Sequence, residues 1–343
     1  MADAARSSPD GFSVVAIIAA HNEADIIGQV VGDLIAQGVQ VYLLDHASTD
    51  GTADAVAPYL GRGLLRVERY PGGDAPEDAA GFVWEKLLRR KEALARDLPA
   101  AWFIHHDADE LRESPWRGQT LLEAIRRVDG LGYNAIDFEL LNFWPVDDRF
   151  RPGDDVRAVF RLYEPGQPWD RVQVRCWKKT DGPLDLASSG GHEAIFPDRR
   201  IFPIRFILRH YPIRSQAQGR RKIQHERRAR IVQAERDRGW HIQYDAMRDG
   251  ESLLRDPATL APYDADAIRL QLALRHRGVE ELEGALADQR AALERTERDL
   301  AAEIASLGAR VAEAHHRMDE LLASRSWRWT APLRKALRLV AGR

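Results

Sequence analysis

The run His105-His106-Asp107-Ala108-Asp109-Glu110 delivers three carboxylates at the end of an apolar stretch, Ala101-Trp102-Phe103-Ile104. In an extended strand, side chains two positions apart share a face, so Asp107 and Asp109 can point into one small volume. Anions held that close repel each other unless a cation lies between them. Hard oxygen ligands of this kind suit Mg²⁺ or Mn²⁺, and either ion in turn suits a diphosphate. Further along, Gly190-Gly191 precedes His192, and glycines let backbone approach a ligand closely. Arg214 and Lys222 carry the cationic groups that match phosphate oxygens.

Elements that would position these residues alternate through the first hundred residues. Phe12 to Ala19 is a short β-branched run suited to a buried strand, and His21-Asn22-Glu23 follows it. Ile26, Val30, Val31, Leu34 and Ile35 then recur at helical spacing until Gly38. Val39 to Leu44 reads as a second strand closed by Asp45, and Ser48-Thr49-Asp50-Gly51-Thr52 supplies turn and capping residues for a helix through Tyr59. Leu64 to Arg69 reads as a third strand, and Phe82 to Leu98 as an amphipathic helix feeding the strand at Trp102. This order predicts an α/β fold with a mostly parallel sheet flanked by helices. Ligands bind such sheets outside the carboxyl ends of the strands, where Asn22, Asp45 and Asp107 all fall.

The 343 residues are 44% hydrophobic and 30% charged, which suits a folded core and argues against global disorder. A net charge of -3 gives no argument for a nucleic-acid partner. Cys176 is the single cysteine, so no intrachain disulfide forms and a reducing compartment is the simplest expectation. The first residues lack the basic-then-apolar order of a signal peptide, and no apolar run approaches the roughly 20 residues that cross a bilayer. A cytoplasmic protein is expected, with peripheral contact at the inner face of the cytoplasmic membrane left open.

From Tyr133 to Tyr211 the signals shorten, with strands expected at Asn134 to Leu141, Ala158 to Tyr163 and Val172 to Lys178. Trp144, Trp169 and Trp177 suggest loops packed over a site, and a basic stretch runs from Arg199 to Arg230. The chain divides by composition into a disordered 1–11, a catalytic-type domain 12–254, a linker 255–266, a coiled coil 267–323 and a basic tail 324–343. Val279, Leu282, Leu286, Leu293 and Leu300 hold heptad positions, and a stutter shifts the seam to Ile304, Leu307, Val311, Met318 and Leu321. A homo-oligomer through this helix is expected. The tail carries no acid and interleaves Trp327, Trp329, Leu333 and Leu337 with arginines. It reads either as an interfacial helix on anionic lipid or as the solvated end of the coiled coil.

With these residues in view, the chain resembles bacterial family 2 glycosyltransferases of the GT-A fold. The resemblance rests on Ile18-Ala19-Ala20-His21-Asn22-Glu23, Leu44-Asp45-His46-Ala47-Ser48-Thr49-Asp50-Gly51-Thr52, Asp107-Ala108-Asp109 as a DxD element, Gly190-Gly191-His192, and His210-Tyr211-Pro212-Ile213-Arg214-Ser215 followed by Lys222. It implies a metal-dependent transfer of a sugar from a nucleotide-diphosphate donor to a hydroxyl of an envelope glycan or lipid-linked acceptor. Asn22, Glu23, Asp45, Asp107, Arg214 and Lys222 would bind the donor. Asp109, Asp107 and His192 would hold Mg²⁺ or Mn²⁺. Glu193 and Asp148 are the expected catalytic bases, with Asp147 and Asp185 as further carboxylates. Several of these residues also have a structural reading: Asp45 and Asp50 as turn or capping acids, Glu23 as a first-turn helix acid, Asp107 and Asp109 as a solvated acidic turn, His192 as a hydrogen-bonded structural residue.

Two other functions compete. A sugar-nucleotide nucleotidyltransferase would need paired carboxylates too, but with a glycine-rich first loop, whereas His21-Asn22-Glu23 has no glycine before Gly28. A non-catalytic assembly protein would display the coiled coil on a degenerate transferase domain.

Overall fold

The computed structural model of the chain describes residues 11–71, 84–167, 170–223, 251–275 and 277–341. Residues 1–10 of the expected disordered N-terminus, the start of the helix at Phe82, Trp169 and the arginines at 227, 228 and 230 lie outside the described residues. The chain forms two units, Met1–Arg277 and Gly278–Arg343.

The first unit is an α/β fold built on a mixed sheet. Strands β1 (Val14–Ala20), β2 (Gln40–Asp45), β3 (Leu64–Arg69) and β4 (Trp102–Asp107) run parallel in the order β3-β2-β1-β4. Their connections are the helices α1 (Ile27–Ala36), α2 (Thr52–Val56) and α3 (Trp84–Asp97). β1 is an almost fully buried Val-Val-Ala-Ile-Ile-Ala-Ala run, as a strand covered on both faces requires. α1 turns Ile27, Val30, Val31 and Leu34 inward, one stripe of a 3.6-residue period.

After β4 the pairing changes. The chain continues through β5 (Glu110–Glu113), α4 (Leu121–Gly130), β6 (Ala135–Phe143), α5 (Val156–Val159), β7 (Leu162–Pro165), β8 (Cys176–Lys178), β9 (Ile201–His210), α6 (Gln216–Arg220) and β10 (Ala261–Pro262). β8 lies antiparallel between β4 and β6, and β6-β7-β10 extend the sheet antiparallel. β9 runs parallel to β6 and antiparallel to β5. The expectation of a mostly parallel sheet therefore holds for β3-β2-β1-β4 and gives way to mixed pairing beyond.

Local chemistry explains the other differences. Ala158 to Tyr163 is not one strand, because the Asp155 side chain accepts from the Arg157 N–H at 2.9 Å and caps α5, leaving the strand to begin at Leu162. Val172 to Lys178 joins the ladder only from Cys176: the Gln173 N–H donates to the buried Asp137 carboxylate at 2.8 Å instead of to a strand carbonyl. Segment 255–266 does more than link: Leu260 is buried, and β10 pairs with β7. Asp264 caps the helix Ala265–Leu274, whose Ile268 and Leu272 are buried in the core of the first unit. That helix was expected to begin the coiled coil, and an alanine-rich apolar stripe reads alike whether it packs on a sheet or on another helix.

In the second unit, the helix Arg277–Ala323 runs for 47 residues, and its Leu286, Leu293, Leu300, Ile304 and Met318 are solvent-exposed in the single chain. Two shorter helices, Arg325–Trp329 and Ala331–Ala341, follow. Among the described residues, no helix is long and apolar enough to cross a membrane.

Candidate active site at the carboxyl edge of the parallel strands

Strand register brings the expected acids together. Ala20 of β1 pairs with Asp45 of β2 on one side, and Ala19 pairs with Asp107 of β4 on the other. Asp45 and Asp107 thus flank the end of β1, two strand spacings or about 10 Å apart. Between them, Asn22 adopts a left-handed backbone at φ 55. Its N–H donates to Ser48 Oγ at 3.1 Å, and its side-chain oxygen accepts from the Thr49 N–H at 2.8 Å, so it stitches the first two strand-to-helix loops together. The buried Asp45 accepts from the Ser48 N–H at 3.2 Å, and Asp50 accepts from Thr52 and from the Ala24 N–H. The His21, His46 and Tyr70 rings sit beside Asp45, with centroids 6.0 and 6.4 Å apart in turn.

Both acids of the Asp-Ala-Asp turn are ion-paired to the chain itself. Arg175 reaches Asp107 Oδ2 at 2.8 Å and Glu110 Oε1 at 2.9 Å, while Arg112 holds the other Glu110 oxygen at 2.7 Å. Lys222 bridges Asp109 Oδ2 at 2.6 Å and Glu23 Oε1 at 2.9 Å. Burial would raise both aspartate carboxyls, but the charge of Arg175 at Asp107 and that of Lys222 at Asp109 overcome it and hold them well below the usual range. The remaining oxygen of each aspartate faces an imidazole beyond hydrogen-bonding reach, Asp107 Oδ1 at 3.8 Å from His105 Nε2 and Asp109 Oδ1 at 3.7 Å from His210 Nε2.

Behind this turn the fully buried Lys91 touches His105 Nδ1 at 3.0 Å and donates to the His106 carbonyl at 3.0 Å. Burial pushes its ammonium down to about 7. Gly191, at φ 91, passes so close to the His105 ring that a Cβ there would sit 2.9 Å from Nε2. His192 follows, its Nδ1 3.1 Å from Gln173 Nε2, and burial together with the Arg175 charge pushes it down to about 4. Asp170 behaves in the opposite sense to Asp107 and Asp109. Burial raises its carboxyl, although the nearby charges of His210 and Arg175 pull the other way.

Several expected residues take structural places. Arg214 is fully buried, with Nε and Nη2 on Asp25 at 2.8 Å, Nη2 also on Glu23, and Nη1 on the Tyr211 carbonyl at 3.0 Å. As placed, Arg214 and Glu23 clamp two loops rather than present a surface to a donor. Lys222 is buried with them but borders Asp109 directly. Glu193 is paired with Arg199, and Asp148 accepts from the Gln216 N–H at 2.8 Å, so both carboxylates are engaged in holding loops. Among the described residues, no group of three or more His, Cys, Asp or Glu side chains is spaced to hold a metal ion. The imidazoles that face the two aspartates are His105 and His210 rather than His192. Reading residues in order does not find Arg175, Asp170 or Lys91: Arg175 comes in beside the antiparallel β4–β8 ladder, Lys91 from helix α3, and Asp170 from the loop before β8. His210, singled out in the sequence, reaches the turn through the Glu110↔His210 register of β5 with β9. A scan of protein-family models finds no match for the chain, and a search of curated proteins finds no relative.

Proposed function

We propose that the chain is a GT-A-type glycosyltransferase that moves a sugar from a nucleoside diphosphate donor to a hydroxyl of an envelope glycan or lipid-linked acceptor. The observation that carries this reading is the pair Asp45 and Asp107 on either side of the β1 end, a span on the scale of a nucleoside diphosphate. Asp45 and the His21, His46 and Tyr70 rings suit the nucleoside, while Lys222 and Arg175 suit the phosphates. The strand order, parallel through β3-β2-β1-β4 and then antiparallel at β8, supports the GT-A resemblance.

The chemistry of the donor set fits a divalent cation. Mg²⁺ is commonly held by one or two carboxylates together with substrate phosphates, and Asp107 and Asp109 each keep one oxygen outside their ion pairs. Those two residues would hold Mg²⁺ or Mn²⁺, which when bound neutralises charge on the leaving diphosphate. Asp170, a carboxylate with raised proton affinity beside Arg175 and His210, is suited to take the acceptor hydroxyl proton. The acceptor oxygen then attacks the anomeric carbon as its bond to the diphosphate breaks, with inversion.

A thermal-shift screen of nucleotide sugars with Mg²⁺ or Mn²⁺, followed by assay of nucleoside diphosphate release, tests the reading. One nucleotide sugar is expected to raise Tm in a cation-dependent way and to be turned over. Release of pyrophosphate would point to nucleotidyl transfer, and a panel with no stabilising donor would overturn the proposal.

A further inference from the structure

The last described helices combine a cationic face and an exposed apolar face. From Ser324 onward the chain has six basic residues and no acid, whereas the preceding helix mixes both signs. The tail does not extend the heptad seam. Ser324 leaves the helical region at φ -61 and ψ 146, and its side chain accepts from the Trp327 N–H at 3.2 Å, so Arg325–Trp329 starts as a separately capped helix. A second break at Thr330 leads into Ala331–Ala341, with Pro332 in its first turn, where a missing N–H costs no helical bond.

In Ala331–Ala341 the spacing puts Leu333 and Leu337 on one side, and Arg334, Lys335 and Arg338 on the other. Leu333 and Leu337 are each 65% exposed and Trp329 is 84% exposed. Arg334 stacks over the Trp327 ring at 3.6 Å, which ties the two short helices together. Tryptophan beside a basic amphipathic helix is the composition of the bilayer interface, where the indole sits at headgroup depth. A second copy of the same face is a poor occupant, because its charges would all be of like sign.

We propose that the segment from Ser324 onward is an interfacial anchor that docks on anionic lipid headgroups. Leu333 and Leu337 enter the acyl boundary, the tryptophans sit at headgroup depth, and the arginines meet the headgroup charge. The inference is independent of the transferase reading.

Co-sedimentation of the full chain with vesicles tests it, comparing pure phosphatidylcholine with phosphatidylcholine containing phosphatidylglycerol. Affinity for the anionic vesicles is expected to be at least roughly tenfold higher and to fall as salt is raised. Leu333→Glu with Leu337→Glu should remove binding, and Arg334→Ala with Arg338→Ala should weaken it roughly tenfold or more. Sedimentation equilibrium and circular dichroism should be unchanged in both variants. Equal binding to the two vesicle types would overturn the proposal. So would undiminished binding by the glutamate variant, or loss of its oligomeric state with no vesicle binding by the parent. Donor turnover read on the same samples keeps these outcomes separate from the fate of the active-site assignment.

Discussion

Asp107 and Glu110 share one guanidinium, Asp109 and Glu23 share one ammonium, and Asp170 has neither as a bonded partner in the described contacts. That contrast separates Asp107 and Asp109, held ionised by their cations, from Asp170, whose carboxyl burial raises, and it supports Asp170 as the base. Asp170→Asn is expected to lower kcat by about 10² to 10⁴-fold while leaving donor affinity in calorimetry unchanged. Because burial raises its carboxyl, the acid limb of the parent's pH–rate profile should lie above the ordinary carboxylate range, with activity lost as pH falls through it. The limb should vanish in the variant. Glu193→Gln, which breaks an ion pair with Arg199, should affect stability more than turnover. At this scale the acids at strand ends were legible in sequence, because an apolar alternation that stops on Asp45 or Asp107 announces a ligand edge. Arg175, their main partner, was not, since it enters beside the β4–β8 ladder from far along the chain.

Elements differ in how plainly they announce themselves. β1 and β2 are buried apolar runs and β3 is an edge strand bounded by turn residues, and their expected limits fall within about two residues of the observed ones. The irregular middle of the chain was harder, because a side chain such as Asp137 can take backbone N–H groups that a ladder would otherwise use. The Gly190-Gly191 loop shows what its glycines are for. Both have positive φ, and Gly191 leaves room for the His105 ring that faces Asp107. Gly191→Ala combines a disfavoured backbone with a 2.9 Å approach to His105 Nε2, so a loss of about 1–3 kcal/mol is expected in urea unfolding. A change within a few tenths of a kcal/mol would mean that the loop and ring move apart freely.

Across the whole molecule, the α/β unit and the long helix follow different rules. The first buries its apolar residues, whereas the second leaves Leu286, Leu293 and Leu300 exposed along a seam that only another helix would cover. Leu286→Asp with Leu293→Asp in the full chain should lower the mass seen by sedimentation equilibrium without changing the donor-induced rise in Tm. An unchanged mass would show that this seam does not carry assembly. The heptads were readable because a 3.5-residue period survives over many turns, but where the sheet domain stops was not, since Ala265–Leu274 looks like more of the same helix. In the structure that helix is gripped by Arg269, which holds Glu113 at 3.2 Å. Glu113 lies on β5, the strand that begins with Glu110. Mechanically, any pull on the C-terminal segment enters the domain at this grip and at the two-residue strand β10, which can peel bond by bond from the edge. The parallel strands beneath Asp45 and Asp107 lie beyond β7, β6 and β8 in the sheet, so a load that peeled β10 would be released before it reached the acid-bearing edge.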